Sequence, residues 1–75
     1  MITGAQVREA RKLLKWSQLQ LGYKAGLSDA TIVTFEAAQR PLLPKNVQAI
    51  RKTLESAGIE FDDSGQGVRL RKGKP

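Results

Sequence analysis

Apolar residues recur at helical spacing through most of the chain, and polar residues able to cap helices precede three of these runs. Each cap is a serine or threonine whose hydroxyl can accept a hydrogen bond from a backbone N–H of the next turn. In two of the three segments a glutamine stands three residues after the cap, which is the pattern of a capping box. These starts predict helices over residues 4–14, 18–24 and 29–37. The capping residues are Thr3, Ser17 and Ser28.

A fourth helix is predicted to begin at Pro44, because proline suits the first turn of a helix. Leu43 before it is a poor cap, and Asn46 is the alternative cap if the helix starts later. Its apolar stripe consists of Val47, Ile50 and Leu54. Gly58 can adopt the left-handed conformation that commonly follows the last helical turn, so we expect the helix to stop there.

The period changes from helical to alternating after residue 58. The segments "IEFD" and "VRLR" alternate apolar and polar residues, as in a strand with one buried face. The segment "DSGQG" between them is typical of a turn, so the sequence predicts an antiparallel hairpin. Its apolar face would hold Ile59, Phe61, Val68 and Leu70. On the other face, residues of opposite charge would pair across the strands. These are Glu60 and Asp62 on the first strand and Arg69 and Arg71 on the second.

The predicted fold class is therefore mainly α, with four helices followed by a short C-terminal β-hairpin. We divide the chain into a helical domain, residues 1–58, and a C-terminal part, residues 59–75, that contains the hairpin and a basic tail. Since an isolated two-stranded hairpin is only marginally stable in water, it must pack on the helices or pair with another subunit. The pattern alone leaves both arrangements open.

The composition excludes several kinds of chemistry. The 75 residues include no cysteine and no histidine, so disulfides, thiolate chemistry and the usual zinc ligands are absent. Carboxylates are not clustered and no phosphate-cradling glycine loop is present, and we therefore expect neither an enzyme nor a bound metal or cofactor. No segment resembles a signal peptide or a membrane span, which favours a cytoplasmic protein.

The charge balance indicates a polyanionic partner. Thirteen Lys and Arg against seven Asp and Glu give a net charge of +6. Nucleic acid is the first candidate and an anionic membrane surface the second, and the alternative is a basic but otherwise ordinary soluble domain. Near the C-terminus, further basic residues would add non-specific affinity. They are Arg69, Arg71, Lys72 and Lys74.

The second and third predicted helices are joined by a tight turn centred on Gly26. Glycine is suited to this place because the chain there needs a positive φ. A helix, a tight turn and a second helix form the unit with which many proteins place a helix in the major groove of DNA. Ile32 and Phe35 would anchor the third helix to the core. The remaining side chains would point outward, and they are mostly short, polar or methyl-bearing, as close approach to base edges requires.

The segment "WSQLQLGYKAGLSDATIVTFEAAQR" resembles the XRE-type helix-turn-helix of phage-repressor-like bacterial regulators. The resemblance begins at "VREARKLLKWSQ" and continues through the fourth helix, covering about residues 3–57. It depends mainly on the Ser-Gln pair at 17–18, on Gly26 and on the Phe-Glu pair at 35–36. A C-terminal "GIEF…GVRLR" segment recurs in a small-protein branch of that family. The resemblance implies a four-helix, lambda-repressor-like domain.

The resemblance also implies roles for individual residues. The positions that match base-reading residues are Asp29, Ala30 and Thr34. The positions that match phosphate-contacting or positioning residues are Ser17, Gln18, Ser28, Thr31, Arg40 and Lys45. Arg11 and Glu36 match a pair that forms a partly buried salt bridge between the first and third helices. Gln18 matches a glutamine that braces the recognition helix.

Some of these positions have a second interpretation. Ser17 and Ser28 cap helices in any case. Asp29 in a first helical turn is favourable to the helix dipole and its charge repels phosphate, so it is either an acid of the cap region or a reader of cytosine. Thr34 is the stronger candidate reader, because its methyl can meet a thymine methyl and its hydroxyl can bond a base edge.

The sequence departs from the family pattern at three points. Lys15 stands where a glycine often ends the first helix, and a left-handed conformation there would carry strain. Gly22 replaces a usual alanine, which lowers helix propensity by about 1 kcal/mol. The third helix is not followed by the common glycine.

These observations predict a sequence-specific transcriptional regulator that binds double-stranded DNA, with a repressor as the expected type. The alternatives are an XRE-like antitoxin, or an antiactivator or adaptor that keeps the fold but binds a protein partner. We expect a homodimer in the cytoplasm, associated with the nucleoid. The predicted dimer interface is the apolar face of the hairpin, and the competing view is that this face covers helices of its own chain.

Overall fold

The first three helices begin where their capping residues predict. In a computed structural model that describes residues 2–62 and 67–71, the chain forms four helices and one antiparallel hairpin, and the predicted fold class is confirmed. The elements are α1 (Gly4–Leu14), α2 (Gln18–Ala25), α3 (Asp29–Glu36), α4 (Pro44–Ser56), β1 (Ile59–Phe61) and β2 (Val68–Leu70). Helix α2 ends one residue later than predicted and α3 one residue earlier.

The first two helix starts are held by reciprocal capping boxes. The Gln6 backbone N–H donates to Thr3 Oγ1 at 3.1 Å, and the Thr3 N–H donates to Gln6 Oε1 at 2.9 Å. The same pair of bonds joins Ser17 and Gln20, at 3.0 and 2.8 Å. Each box satisfies two backbone N–H groups that would otherwise lack a partner at a helix N-terminus.

Helix α4 starts without a side-chain cap. Leu43 occupies the capping position and makes no capping hydrogen bond, while Pro44 is the first helical residue, as predicted. The helix is instead stabilised by burial of Val47, Ile50 and Leu54. The chain leaves it through Gly58, whose φ of +104° is readily available only to glycine.

A single apolar core joins all four helices and the hairpin. It consists of Ile2, Val7, Ala10, Leu21, Ile32, Val47, Ile50, Leu54 and Ile59. Strand β1 packs against α4 and β2 against α1. The hairpin therefore closes one side of the helical core.

The hairpin is antiparallel, as predicted, and the structure gives its register. Ile59 pairs with Leu70, Glu60 with Arg69, and Phe61 with Val68. A buried amide also joins this hairpin to α1, since Gln6 Nε2 donates to the Gly67 carbonyl at 3.2 Å. Most of the predicted turn, residues 63–66, and the tail, residues 72–75, lie outside the described residues.

The apolar face of the hairpin is used mainly within its own chain. Ile59 is completely buried, and Phe61 and Val68 pack partly buried against the core. Ile59 therefore has no surface to offer a second subunit, and the prediction of a dimer contact does not hold for that residue in this fold. Leu70 differs, because 41% of it stays exposed.

Two residues without a glycine's freedom adopt positive φ. Lys15 ends α1 with φ +59°, and Ala38, just after α3, has φ +58°. Both stand where the sequence lacks a glycine that the family often has. Left-handed backbone costs roughly 1–2 kcal/mol for a residue with a Cβ, so these two turns carry strain.

Candidate nucleic-acid interface

The turn between α2 and α3 depends on two glycines. Gly26 ends α2 with φ +76°, and its N–H bonds back to the last turn of that helix. Gly22 lies so close to the turn that a Cβ there would come within 2.8 Å of the Leu27 carbonyl oxygen. The glycine that weakens α2 by propensity therefore permits close packing of α2 against the start of α3.

Helix α3 has a buried face and an open face. Ile32 is completely buried, and Phe35 packs partly buried against the core. On the opposite side Asp29 and Ala30 are exposed, and Thr34 is half-buried. The three predicted base-reading residues thus lie at the surface of α3, within two turns of each other.

A hydrogen-bonded network fixes α3 relative to α1 and α2. Arg11 donates from Nε to Glu36 Oε2 at 2.9 Å and from Nη2 to Oε1 at 3.1 Å. Its Nη1 donates to the Trp16 carbonyl at 2.9 Å. Gln18 Nε2 reaches the same carboxylate, at 3.2 Å from Oε1. The expected salt bridge is present, and the side chain of Glu36 is only 4% exposed.

Ser28 and Thr31 form a second polar pair, at the start of α3. The Thr31 N–H donates to Ser28 Oγ at 3.2 Å, and the two hydroxyls lie 2.9 Å apart. Ser28 is exposed and Thr31 half-buried. Like Ser17 at the start of α2, Ser28 caps its helix and still has a hydroxyl at the surface.

Positive charge flanks α3 rather than lying on it. The helix carries Asp29 and Glu36 and no basic residue. Arg40 follows it in the 37–43 connection, and Lys45 lies in the first turn of α4, and both are exposed. In the hairpin, Arg69 and Arg71 are paired with Glu60 at 2.8 and 3.0 Å. Lys72 and Lys74 lie outside the described residues.

The sequence places Val33 on the outward side of α3 without giving it a role, and it does not indicate the second partner of Gln6. Val33 is 42% exposed although it is apolar. Its position between Ile32 and Thr34, away from the core spacing, was the available indication. Gln6 was recognised only as part of a capping box, and nothing in the sequence indicated its bond to a residue 61 positions away.

Among the described residues, no group of three or more acidic, cysteine or histidine side chains could hold a metal ion. In that same part of the chain, no helix is long and apolar enough to cross a membrane.

The comparison with known families assigns the fold. No curated protein matches the chain. A sequence model of the helix-turn-helix family HTH_3 matches residues 7–60, which include α2, the Gly26 turn and α3. This match covers most of the chain, and the chain accordingly belongs to the XRE-type helix-turn-helix family of DNA-binding transcriptional regulators.

Proposed function

We propose that the protein is a sequence-specific repressor that inserts α3 into the major groove of its operator. The observation that carries the proposal is the division of α3, whose inner face is fixed by the core and the Arg11–Glu36 pair while its outer face is free. A helix that is rigid on one side and open on the other can present side chains to bases without first becoming ordered. A protein bound there would block access of other proteins to the same DNA.

In this proposal the base edges are contacted by Asp29, Ala30 and Thr34. The phosphate backbone of the DNA is contacted by the hydroxyls of Ser17, Ser28 and Thr31. Gln18 would position α3 through Glu36 and contact a phosphate next to it. Contacts to phosphate orient a protein on the duplex, whereas contacts to base edges supply sequence preference. The two groups should therefore respond differently to mutation.

Arg40 and Lys45 would supply the charge for phosphate contacts beside α3. Both side chains are exposed, and Lys45 lies at the start of a helix that has no side-chain cap. Backbone N–H groups at a helix N-terminus favour a phosphate oxygen, and a lysine beside them strengthens that preference. The binding free energy would then depend strongly on salt.

A homodimer would place two α3 helices on half-sites about 34 Å apart, which is one turn of DNA. We propose that the exposed part of the hairpin, around Leu70, contributes to this dimer. Its support is the 41% exposure of Leu70 beside strands that are paired only with each other in the described residues. A Leu70→Glu variant should sediment as a monomer. An unchanged dimer would place the interface elsewhere.

The test of the function is selection of duplexes from a random pool, followed by titration of the selected site. The logarithm of the affinity should fall linearly with the logarithm of the salt concentration, with a slope of about −0.9 per neutralised phosphate. Binding that shows no sequence preference, or no dependence on salt, would contradict the proposal.

Two variants separate base reading from positioning. Thr34→Ala should change the preferred base at one position of the selected site and cost about 1–3 kcal/mol on the original site. Arg40→Ala should weaken binding to selected and random duplexes by a similar factor. A Thr34→Ala variant that selects the original sequence would remove Thr34 from the reading residues.

A protein-binding adaptor is the second candidate function. It is favoured by one observation: Leu19 and Tyr23 are both strongly exposed, and they lie one helical turn apart on α2. If the full chain binds no duplex at low salt, this face of α2 becomes the first place to look for a protein partner.

A further inference from the structure

The open face of α3 carries methyl groups and hardly any hydrogen-bond donors. Ala30, Val33, Thr34 and Ala37 follow the i, i+3, i+4, i+7 spacing that places residues on one side of a helix. Ala30, Val33 and Ala37 are exposed and Thr34 is half-buried. The face is thus a strip of small side chains that a flat apolar surface could approach closely.

Of the other polar side chains of α3, two already have hydrogen-bond partners within the protein. The helix also lacks the residue types that form paired hydrogen bonds with purines. The Thr31 hydroxyl lies 2.9 Å from Ser28 Oγ, and the Glu36 carboxylate is held by Arg11 and Gln18. The sequence of α3, "DATIVTFE", includes no arginine, lysine, asparagine or glutamine. These are the residue types that bond guanine or adenine with two hydrogen bonds. Purine edges are therefore not what this helix is equipped to recognise.

A thymine methyl fits the strip. In the major groove, thymine presents a 5-methyl group, and apolar side chains such as alanine or the methyl of threonine contact it. Cytosine, adenine and guanine present no methyl group in the groove. Asp29 cannot supply the thymine contact itself, since its carboxylate repels the O4 acceptor beside the methyl.

We propose that α3 selects its operator through thymine methyl groups, which Ala30, Val33 and Thr34 contact, and that Val33 is a specificity-determining residue. This proposal rests on the proposed function, because it assumes that α3 enters the major groove. Val33 carries two methyl groups on a stiff β-branched side chain. It therefore holds its shape on approach to the base and loses little conformational freedom.

The experiment replaces thymine by uracil, one position at a time, in the duplex selected by the full chain. Uracil keeps every hydrogen-bonding atom of thymine and lacks only the methyl group. Burial of one methyl group corresponds to about a fourfold change in affinity. We expect such a loss at one or more positions in each half-site.

The Val33→Ala variant then tests the assignment to this residue. At a single position of the site, the variant should bind the thymine and uracil duplexes with nearly equal affinity. At the other positions, the ratio of the two affinities should stay as it is for the parent. The matched control is Leu19→Ala, which also removes an exposed apolar side chain but from α2. This control should keep the parent's ratio of thymine to uracil affinity at every position of the site. Melting curves of both variants check that they fold, which the exposure of both residues favours.

Three outcomes would overturn the proposal, and they are distinguishable. If the protein selects a specific site but binds each uracil-substituted duplex as tightly as the thymine duplex, recognition of methyl groups is wrong. The proposed function would still stand in that case. If Val33→Ala keeps every ratio, Val33 is not the reader. If the full chain selects no sequence, the proposed function fails together with this inference.

Discussion

Arginine–glutamate ion pairs occur both between the helices and in the hairpin, and they differ in their exposure to water. Arg11 and Glu36 join α1 to α3 at 2.9 Å, with the carboxylate side chain 4% exposed. Glu60 joins Arg69 and Arg71 across the hairpin at 2.8 and 3.0 Å, with the Arg69 side chain 80% exposed. The distances are nearly equal, so distance cannot distinguish what the two groups contribute.

Burial distinguishes them. Water screens the hairpin charges in the folded and unfolded chain alike, and such exposed pairs contribute little to stability. The Glu36 side chain is almost completely buried, so removing its charge would leave the partly buried Arg11 without a counter-ion. The first group therefore fixes the geometry of α3, and the second mainly adjusts the surface of the hairpin.

The largest change in stability is expected for Glu36→Gln. Loss of the buried negative charge should lower the free energy of unfolding by about 3 kcal/mol, because the Arg11 guanidinium then lacks a counter-ion. Urea denaturation followed by circular dichroism measures it. The matched control is Glu60→Gln, the same substitution in the hairpin. Equal losses in the two variants would show that burial does not decide the contribution.

The next effect is expected where α1 touches α3 without any charge. A Cβ on Gly4 would overlap the Phe35 carbonyl oxygen and would lie 2.9 Å from Glu36 Cα. Helix propensity alone favours alanine over glycine by about 1 kcal/mol. The overlap should reverse that preference, so Gly4→Ala should destabilise the protein by about 1–3 kcal/mol. A raised melting temperature would mean that α1 can move away from α3 at little cost.

A smaller effect of opposite sign is expected just after α3. Ala38→Gly should raise stability by about 1 kcal/mol, because glycine adopts the observed φ of +58° without strain. For a domain of this size the melting temperature would rise by about 4–8 °C. The control is Ala37→Gly, at a φ of −81°, which should destabilise instead. A fall in both variants would argue against strain at Ala38.

The smallest effect is expected for Glu60→Gln, and it should depend on pH. The hydrogen bonds from Arg69 and then Arg71 lower the pKa of Glu60 below its ordinary value of 4.5. A carboxyl whose pKa is lowered by folding stabilises the folded state above the unfolded pKa, and this contribution is lost as the pH falls through the folded pKa. The variant should be slightly less stable at neutral pH and equal to the parent in strong acid.

Thermal melts of Glu60→Gln and of the parent at neutral pH, in strong acid, and at neutral pH in high salt measure this difference. High salt should remove most of it, since the charges are exposed. A difference that grows in acid would contradict the assigned cause of the pKa shift.

Local signals predicted most of the fold. The helix starts could be located from short segments of sequence, because each capping side chain bonds to a residue only three positions away. The capping residues are Thr3, Ser17 and Ser28. The alternation after residue 58 likewise predicted the two strands and their apolar face, whereas the register came from the structure. The pairing of Arg11 with Glu36, 25 positions apart, was expected only from the family resemblance.

Contacts between distant segments could not be predicted in this way. The close approach of Gly4 to α3 depends on how two helices cross, and the burial of Ile59 depends on where the hairpin docks. The exposed side of α3 was predicted from its apolar spacing. The roles of Asp29, Ala30 and Thr34 in binding DNA stay predictions.

The bond between Gln6 and Gly67 has a consequence for how the protein is made. The two residues are 61 positions apart, yet Gln6 lies in the first turn of α1. A chain emerging from the ribosome has its first helix long before the segment that completes the core around it, and Ile59 too arrives late. Until then the apolar side of α1 stays partly open, and non-local contacts of this kind slow folding. We therefore expect the DNA-binding unit to become stable, and able to act, only once the hairpin has emerged.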